Sequence, residues 1–146
     1  MSNETRLSDE KVTTLEVNDD DLDFDDDVRT YRDTPFSGVG VTRFPGGVIE
    51  SETPYLNGLP HGVCREWHVN GQKKKEWASL RGSVHGTCTE WYENGERKSL
   101  GVYEHGIEIT FTQWSGDGRV VEHRELPSDS PMRQLIERLK KANALL

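Results

Sequence analysis

The chain has little of what a thick core or a membrane segment requires. Only 32% of its 146 residues are hydrophobic, against 30% charged. No stretch approaches the roughly 18 apolar residues of a membrane span. The opening "MSNETRLSDE" has neither a basic region nor an apolar run, so a secretory signal is not expected. Two cysteines are too few for a secreted disulfide framework. Catalytic signatures are missing too: no Ser/His/Asp set, no phosphate-cradling glycine loop and no HExxH occurs. These absences lead to the expectation of a soluble cytoplasmic protein of one domain, neither an enzyme nor a cofactor carrier. An elongated single-layer structure suits so small an apolar supply.

What is present is unevenly placed. The net charge is −8. Residues 1–34 hold 12 acidic and 4 basic residues, which accounts for all of it, and residues 35–146 hold 14 of each. The acid is concentrated in "EVNDDDLDFDDD" (16–27). Such a run is read either as a solvated or partly disordered segment, which could also add a strand, or as an electrostatic lure for a basic partner.

The remainder repeats itself. At a shift of 24, His61-Gly62, Cys64, Glu66-Trp67 and Asn70-Gly71 recur as His85-Gly86, Cys88, Glu90-Trp91 and Asn94-Gly95. Gly58, Gly82 and Gly106 share that spacing, as do Gly38, Gly62 and Gly86. Fainter copies carry Phe44, Gly46-Gly47 and Tyr55 before, and Trp114 and Asp117-Gly118 after. A fixed period of this size signals an array whose units bury their faces only by stacking on neighbours.

Each unit is expected to be a hairpin, because Asn-Gly and Asp-Gly tolerate the positive φ of a type I′ turn. Turns centred on 70–71 and 94–95 pair Trp67 with Lys74 and Trp91 with Lys98. A connection turning at Gly82-Ser83 brings Lys74 opposite Trp91 as well. One face then carries the row Trp67, Lys74, Trp91, Lys98, with ammonium groups over indoles. The other carries Glu66, Lys75 and Glu90, with unlike charges adjacent. Trp114 joins the first face; Trp77, Tyr92 and Tyr103 fall on the second.

The segments "HGVCREWHVNGQ", "HGTCTEWYENGE", "YLNGLPHG" and "YEHGIE" resemble the variant MORN repeat, over about residues 35–126. That resemblance implies a mainly β, elongated, twisted antiparallel sheet of consecutive hairpins. Small bacterial proteins of this type are similar to antitoxins or immunity proteins that bind and silence a toxin. The family has no shared catalytic or ligand residues to transfer.

Two constellations invite a metal reading. His-x2-Cys occurs twice, at 61–64 and 85–88, which superficially supplies a zinc inventory. The register places Cys64 and Cys88 on either side of Trp77, about 10 Å apart, too far for one zinc or a disulfide. Free thiols are expected. Asp21-x-Asp23-x-Asp25 opens like a calcium loop, but Asp26 and Arg32 stand where that loop needs Gly and Glu. No metal is expected.

The tail "SDSPMRQLIERLKKANALL" breaks the strand pattern. Ser130 is a plausible N-cap and Pro131 suits a first helical position. Met132, Leu135, Ile136, Leu139, Ala142 and Leu146 trace one apolar stripe of a helix over about 131–144, opposite a basic face. It either caps the end of the array or docks a partner or membrane surface. The leading functional expectation is a protein-binding module, an antitoxin or immunity protein acting on a toxin or effector. Trp67, Trp91, Tyr92, Tyr103 and Trp114 are its candidate anchors. Asp20, Asp21, Asp23, Asp25, Asp26 and Asp27 are the candidate lure. The alternative is a structural scaffold or membrane-associated module. Neutral repeats beside an acidic end disfavour nucleic acid and anionic membranes.

Overall fold

In a computed structural model, which describes residues 14–144, the repeats form a meander of hairpins. After β1 (Glu16–Asn18) come three short strands, β2 (Asp23–Asp25), β3 (Val28–Tyr31) and β4 (Thr34–Pro35). The array follows as β5 (Gly38–Arg43), β6 (Ile49–Leu56), β7 (Leu59–Pro60), β8 (Gly62–Trp67) and β9 (Lys73–Leu80). It continues through β10 (Ser83–Trp91), β11 (Arg97–Glu104), β12 (Ile107–Trp114) and β13 (Val120–Glu125). Helix α1 (Pro131–Ala144) closes the described chain. The main sheet has ten strands in the order β1-β5-β6-β8-β9-β10-β11-β12-β13, with β7 also on β6. Among the described residues, every pair from β5 onward is antiparallel and β1 alone adds in parallel, against β5.

The turns divide into two kinds, opposite to the expected assignment. Type I′ geometry belongs to the connections between units: Asn57-Gly58, Arg81-Gly82 and His105-Gly106 all have positive φ at both positions. The connection after β9 therefore turns at Arg81-Gly82, not Gly82-Ser83, with Leu80 opposite Ser83. At the Asn-Gly tips only the glycine is left-handed, Gly71 at φ 87° and Gly95 at φ 88°. Gly71 N–H donates to the His68 carbonyl and His68 N–H to Gln72, so these are type I turns closed by a glycine bulge. Asn70 and Asn94 are used for their side chains: each Oδ1 accepts the N–H two residues on, from Gln72 at 3.0 Å and Glu96 at 2.9 Å.

A second bulge recurs in the four repeat hairpins, β5-β6, β8-β9, β10-β11 and β12-β13. Glu66 pairs with Lys75, as expected, but Trp67 pairs with Lys73 and leaves Lys74 as the extra residue. Glu50, Lys98 and Val121 are extra in the same way. The expected Trp67–Lys74 and Trp91–Lys98 pairs are thus corrected to Trp67–Lys73 and Trp91–Arg97. A bulge sets two residues against one and increases the local twist. Away from the tips the predicted register holds, and Glu66, Lys75 and Glu90 are cross-strand neighbours, with Lys75 Nζ 3.7 Å from Glu90.

The acidic segment is ordered over its described part; residues 1–13 of the N-terminal segment lie outside the described residues. Asn18 accepts the N–H of Asp20, starting a 3-10 turn over Asp19–Asp21. The three-stranded β2-β3-β4 sheet is tied to the array where Arg29 N–H donates to Gly58 and Gly58 N–H donates to Phe36. Between them lies the main core of Val17, Leu22, Phe36 and Tyr55, with Tyr31 packed on it. A single sheet cannot bury its own faces, and this small second layer covers one end of it. At the other end, Ser130 Oγ accepts Met132 N–H and α1 buries Ile136. Lys140 reaches Glu104 at 3.3 Å. Met132 remains 45% exposed, so the apolar stripe is only partly covered; Leu146 lies outside the described residues.

Candidate protein-binding surface

The surface is built from the tips of consecutive hairpins. Glu66, Glu90 and Gln113 all point to one face, since each follows from the same cross-strand row. The next residue in each strand, Trp67, Trp91 or Trp114, therefore projects from the opposite face. All three indoles are half-buried. Because Lys74 and Lys98 are the extra residues, Lys73 and Arg97 become the cations of the row. Lys73 Nζ lies 5.5 Å from the centre of the Trp91 ring and the Arg97 guanidinium 5.7 Å from that of Trp114. Lys73 also pairs with Glu76 at 2.8 Å and, with Arg65, holds that carboxyl below its usual range. The outcome is a ladder, Trp67–Lys73–Trp91–Arg97–Trp114, with a tryptophan on every second strand and about 10 Å between successive indoles.

Neighbouring units are clasped beneath the ladder. His68 Nε2–H donates to the Trp91 carbonyl at 2.9 Å. One repeat later the Tyr92 hydroxyl donates to the Trp114 carbonyl at 2.8 Å. Two open hollows occupy equivalent positions on the ladder. One, of about 300 Å³, is lined by Val48, Ile49, Trp67 and Gly71. The other, of about 470 Å³, is lined by Glu96, Arg97, Trp114, Ser115 and Gly118. Between them the matching place is filled by Gln72, whose Oε1 sits 2.7 Å from where a Cβ on Gly95 would stand.

The expected anchors therefore separate. Trp67, Trp91 and Trp114 are brought together. Tyr92 lies in the loop beyond β10, with its hydroxyl used internally and Lys98 over its ring. Tyr103 is on the other face, its ring covering Gly101 and its hydroxyl directed at Glu108. Asp20, Asp21, Asp23, Asp25, Asp26 and Asp27 are all exposed on the small sheet side of the molecule. Asp19, which the sequence did not single out, is structural: Arg29 Nη2 and the Tyr55 hydroxyl each donate to it at 3.0 Å. Lys73 and Arg97 were also missed, although their 24-residue spacing and shared basic character are visible once the bulge is known.

The His-x2-Cys pairs have another use. His61 Nδ1 accepts the Arg81 N–H and His85 Nδ1 accepts the His105 N–H, so each imidazole braces the next type I′ turn. Cys64 and Cys88 both stand opposite Trp77, two strands apart, and burial pushes both thiols up. Cys64 is fully buried, with Ser79 Oγ 3.7 Å from its Sγ, whereas Cys88 is partly accessible. In native protein a thiol reagent is expected to label Cys88 slowly and Cys64 only on unfolding. Equal labelling rates, or one bound zinc per chain by metal analysis, would contradict this placement.

Among the described residues no helix is long and apolar enough to cross a membrane. Comparison with protein-family models, with curated proteins and with solved structures finds no match.

Proposed function

We propose that this chain acts by binding another protein, as an antitoxin or immunity protein of the variant MORN-repeat kind that neutralises a toxin in the cytoplasm. The observation that supports the reading best is the tryptophan–cation ladder. Three half-buried indoles share one face, with two open hollows beside them. Tryptophan and arginine are the residues that dominate interface hot spots. Open hollows between hairpin tips suit side chains of a protein partner better than they suit a small substrate, which needs an enclosing pocket. On this reading the chain carries no catalytic residue, cofactor or metal and does not bind nucleic acid. The exposed aspartates of the small sheet supply the long-range attraction toward a cationic toxin.

The two contributions are separable in binding kinetics with the toxin encoded beside this chain, or with the partner captured from the native host. Exchanging Asp20, Asp21, Asp23, Asp25, Asp26 and Asp27 for Asn should slow association and flatten its salt dependence, since salt screens these charges over about 8 Å. Trp91→Ala should instead raise the dissociation rate, at a cost of about 2 kcal/mol. Because Trp91 also supports Lys73, each variant is melted alongside. Unchanged association at low salt for the Asn variant removes the lure; an unchanged dissociation rate for folded Trp91→Ala removes the ladder.

The scaffold or membrane-associated alternative draws on α1, where Arg133, Arg138 and Lys141 line an outward hollow. Burial of Ile136 against the fold favours the capping role instead. Flotation with anionic vesicles decides between them: retention of the chain on vesicles would favour the membrane reading.

A further inference from the structure

Among the described residues, the sheet ends in a strand that pairs on one side only. β13 lies last in the strand order, and all six of its residues are exposed. Its partner β12 takes one row of its backbone groups. Leu126 N–H donates to the Ile109 carbonyl at 2.8 Å, and the register then runs without a shift from Glu125↔Thr110 to Glu122↔Gln113. In an antiparallel ladder the inward-facing residues alternate. Glu122, Arg124 and Leu126 therefore bond toward β12, while His123 and Glu125 present their N–H and C=O groups outward. An edge of this kind is a template for another strand.

We propose that this edge is a self-association site, at which β13 pairs antiparallel with β13 of a second copy about a two-fold axis through His123. The sequence of the strand is self-complementary in that register. His123 meets His123 and exchanges both backbone bonds. Glu122 falls opposite Arg124 of the second copy, and Arg124 opposite its Glu122, in the closer, non-hydrogen-bonded type of pair. Both side chains already approach each other within one copy, where Arg124 bridges Glu108 and Glu122. The second copy thus adds a carboxylate to a guanidinium whose fork is held in place by Glu108 at 2.8 and 3.0 Å. A two-fold contact buries the same patch on both copies and closes the assembly at two.

Charge placement favours this edge over the opposite one. Residues 14–34, which include β1 and the small sheet beside it, hold 9 acidic and 2 basic residues. β1 and β13 are eight inter-strand steps apart, about 40 Å. That is several Debye lengths at physiological ionic strength. Joining two copies through β13 keeps their acidic segments at the far ends, whereas joining through β1 would press them together.

Sedimentation velocity of the full chain over a rising concentration series tests the proposal. The wild type is expected to shift from monomer to dimer, with no larger species. Glu122→Arg, which sets Arg opposite Arg in both symmetric pairs, should weaken the dimer about tenfold or more. Glu122→Arg mixed with Arg124→Glu should restore association, because the heterodimer regains both unlike pairs. His123→Pro removes an outward N–H without removing a bond to β12, and should give a folded monomer by circular dichroism. A wild type that stays monomeric throughout, or a dimer that persists in both Glu122→Arg and folded His123→Pro, overturns the proposal. A dimer persisting in this way would place the interface elsewhere.

Discussion

Replacing Gly58 by alanine should destabilise the protein by about 3 kcal/mol or more, while the same change at Gly82 or Gly106 should cost about 1 kcal/mol. The three glycines occupy the same position of the same turn, with φ of 83°, 86° and 81°. The left-handed backbone strain is therefore common to all. Their surroundings differ. A Cβ at Gly58 would stand 2.2 Å from Val28 Cγ1 and 2.6 Å from the Arg29 carbonyl oxygen, whereas at Gly82 and Gly106 the nearest atoms are 3.7 and 3.8 Å away. Val28 could rotate, but the Arg29 backbone is fixed by its own bond to Gly58. The added methyl would drive the β2-β3-β4 layer off the array and open the core of Val17, Leu22, Phe36 and Tyr55. Denaturant unfolding of the three variants side by side measures the difference. Equal costs would mean that the small sheet does not seat on this turn.

The second large effect concerns alkaline pH. The Tyr55 phenol is pushed up to about 12 by burial first, then by the charge of the neighbouring Asp19 carboxylate, which accepts its hydrogen bond. The unfolded phenol titrates near 10. The folded state therefore holds this proton more tightly, and its stabilising contribution is complete below about pH 10. It is lost as pH rises from about 10 to about 12, by about 2–3 kcal/mol in total. Tyr55→Phe has no proton to lose, so its stability should fall less over that window. At neutral pH it should lose only the hydrogen bond to the Asp19 carboxylate, about 2 kcal/mol. The wild-type-minus-variant stability, measured by urea unfolding at stepped pH, isolates Tyr55 from the other alkaline groups. A flat difference between pH 10 and 12 would show that the Asp19–Tyr55 contact is not maintained.

These predictions mark the division between what was readable in the sequence and what was not. A period of 24, turn glycines at fixed offsets, alternating strands and a capped proline start are local properties, so the sequence alone determined a hairpin array to about residue 126 and a helix beginning at Ser130-Pro131. Glu66, Lys75 and Glu90 in one row, and Cys64 and Cys88 on either side of Trp77, were legible too, because side-chain alternation carries a register far from its turn. Near the turns the tertiary structure decided. Asn-Gly is compatible with both a type I′ turn and a type I turn closed by a glycine bulge, and a bulge of one residue has no composition signal of its own. That single residue exchanged Lys74 and Lys98 for Lys73 and Arg97 as the partners of the indoles. The acidic run was legible as charge but not as structure. Nothing local distinguishes Asp19 from the aspartates that follow it; only the approach of Arg29, ten residues on, and Tyr55, 36 residues on, makes it a half-buried partner while its neighbours remain exposed. Contacts between segments far apart in the chain have no period to announce them, and they set which face is covered and which edge is left open.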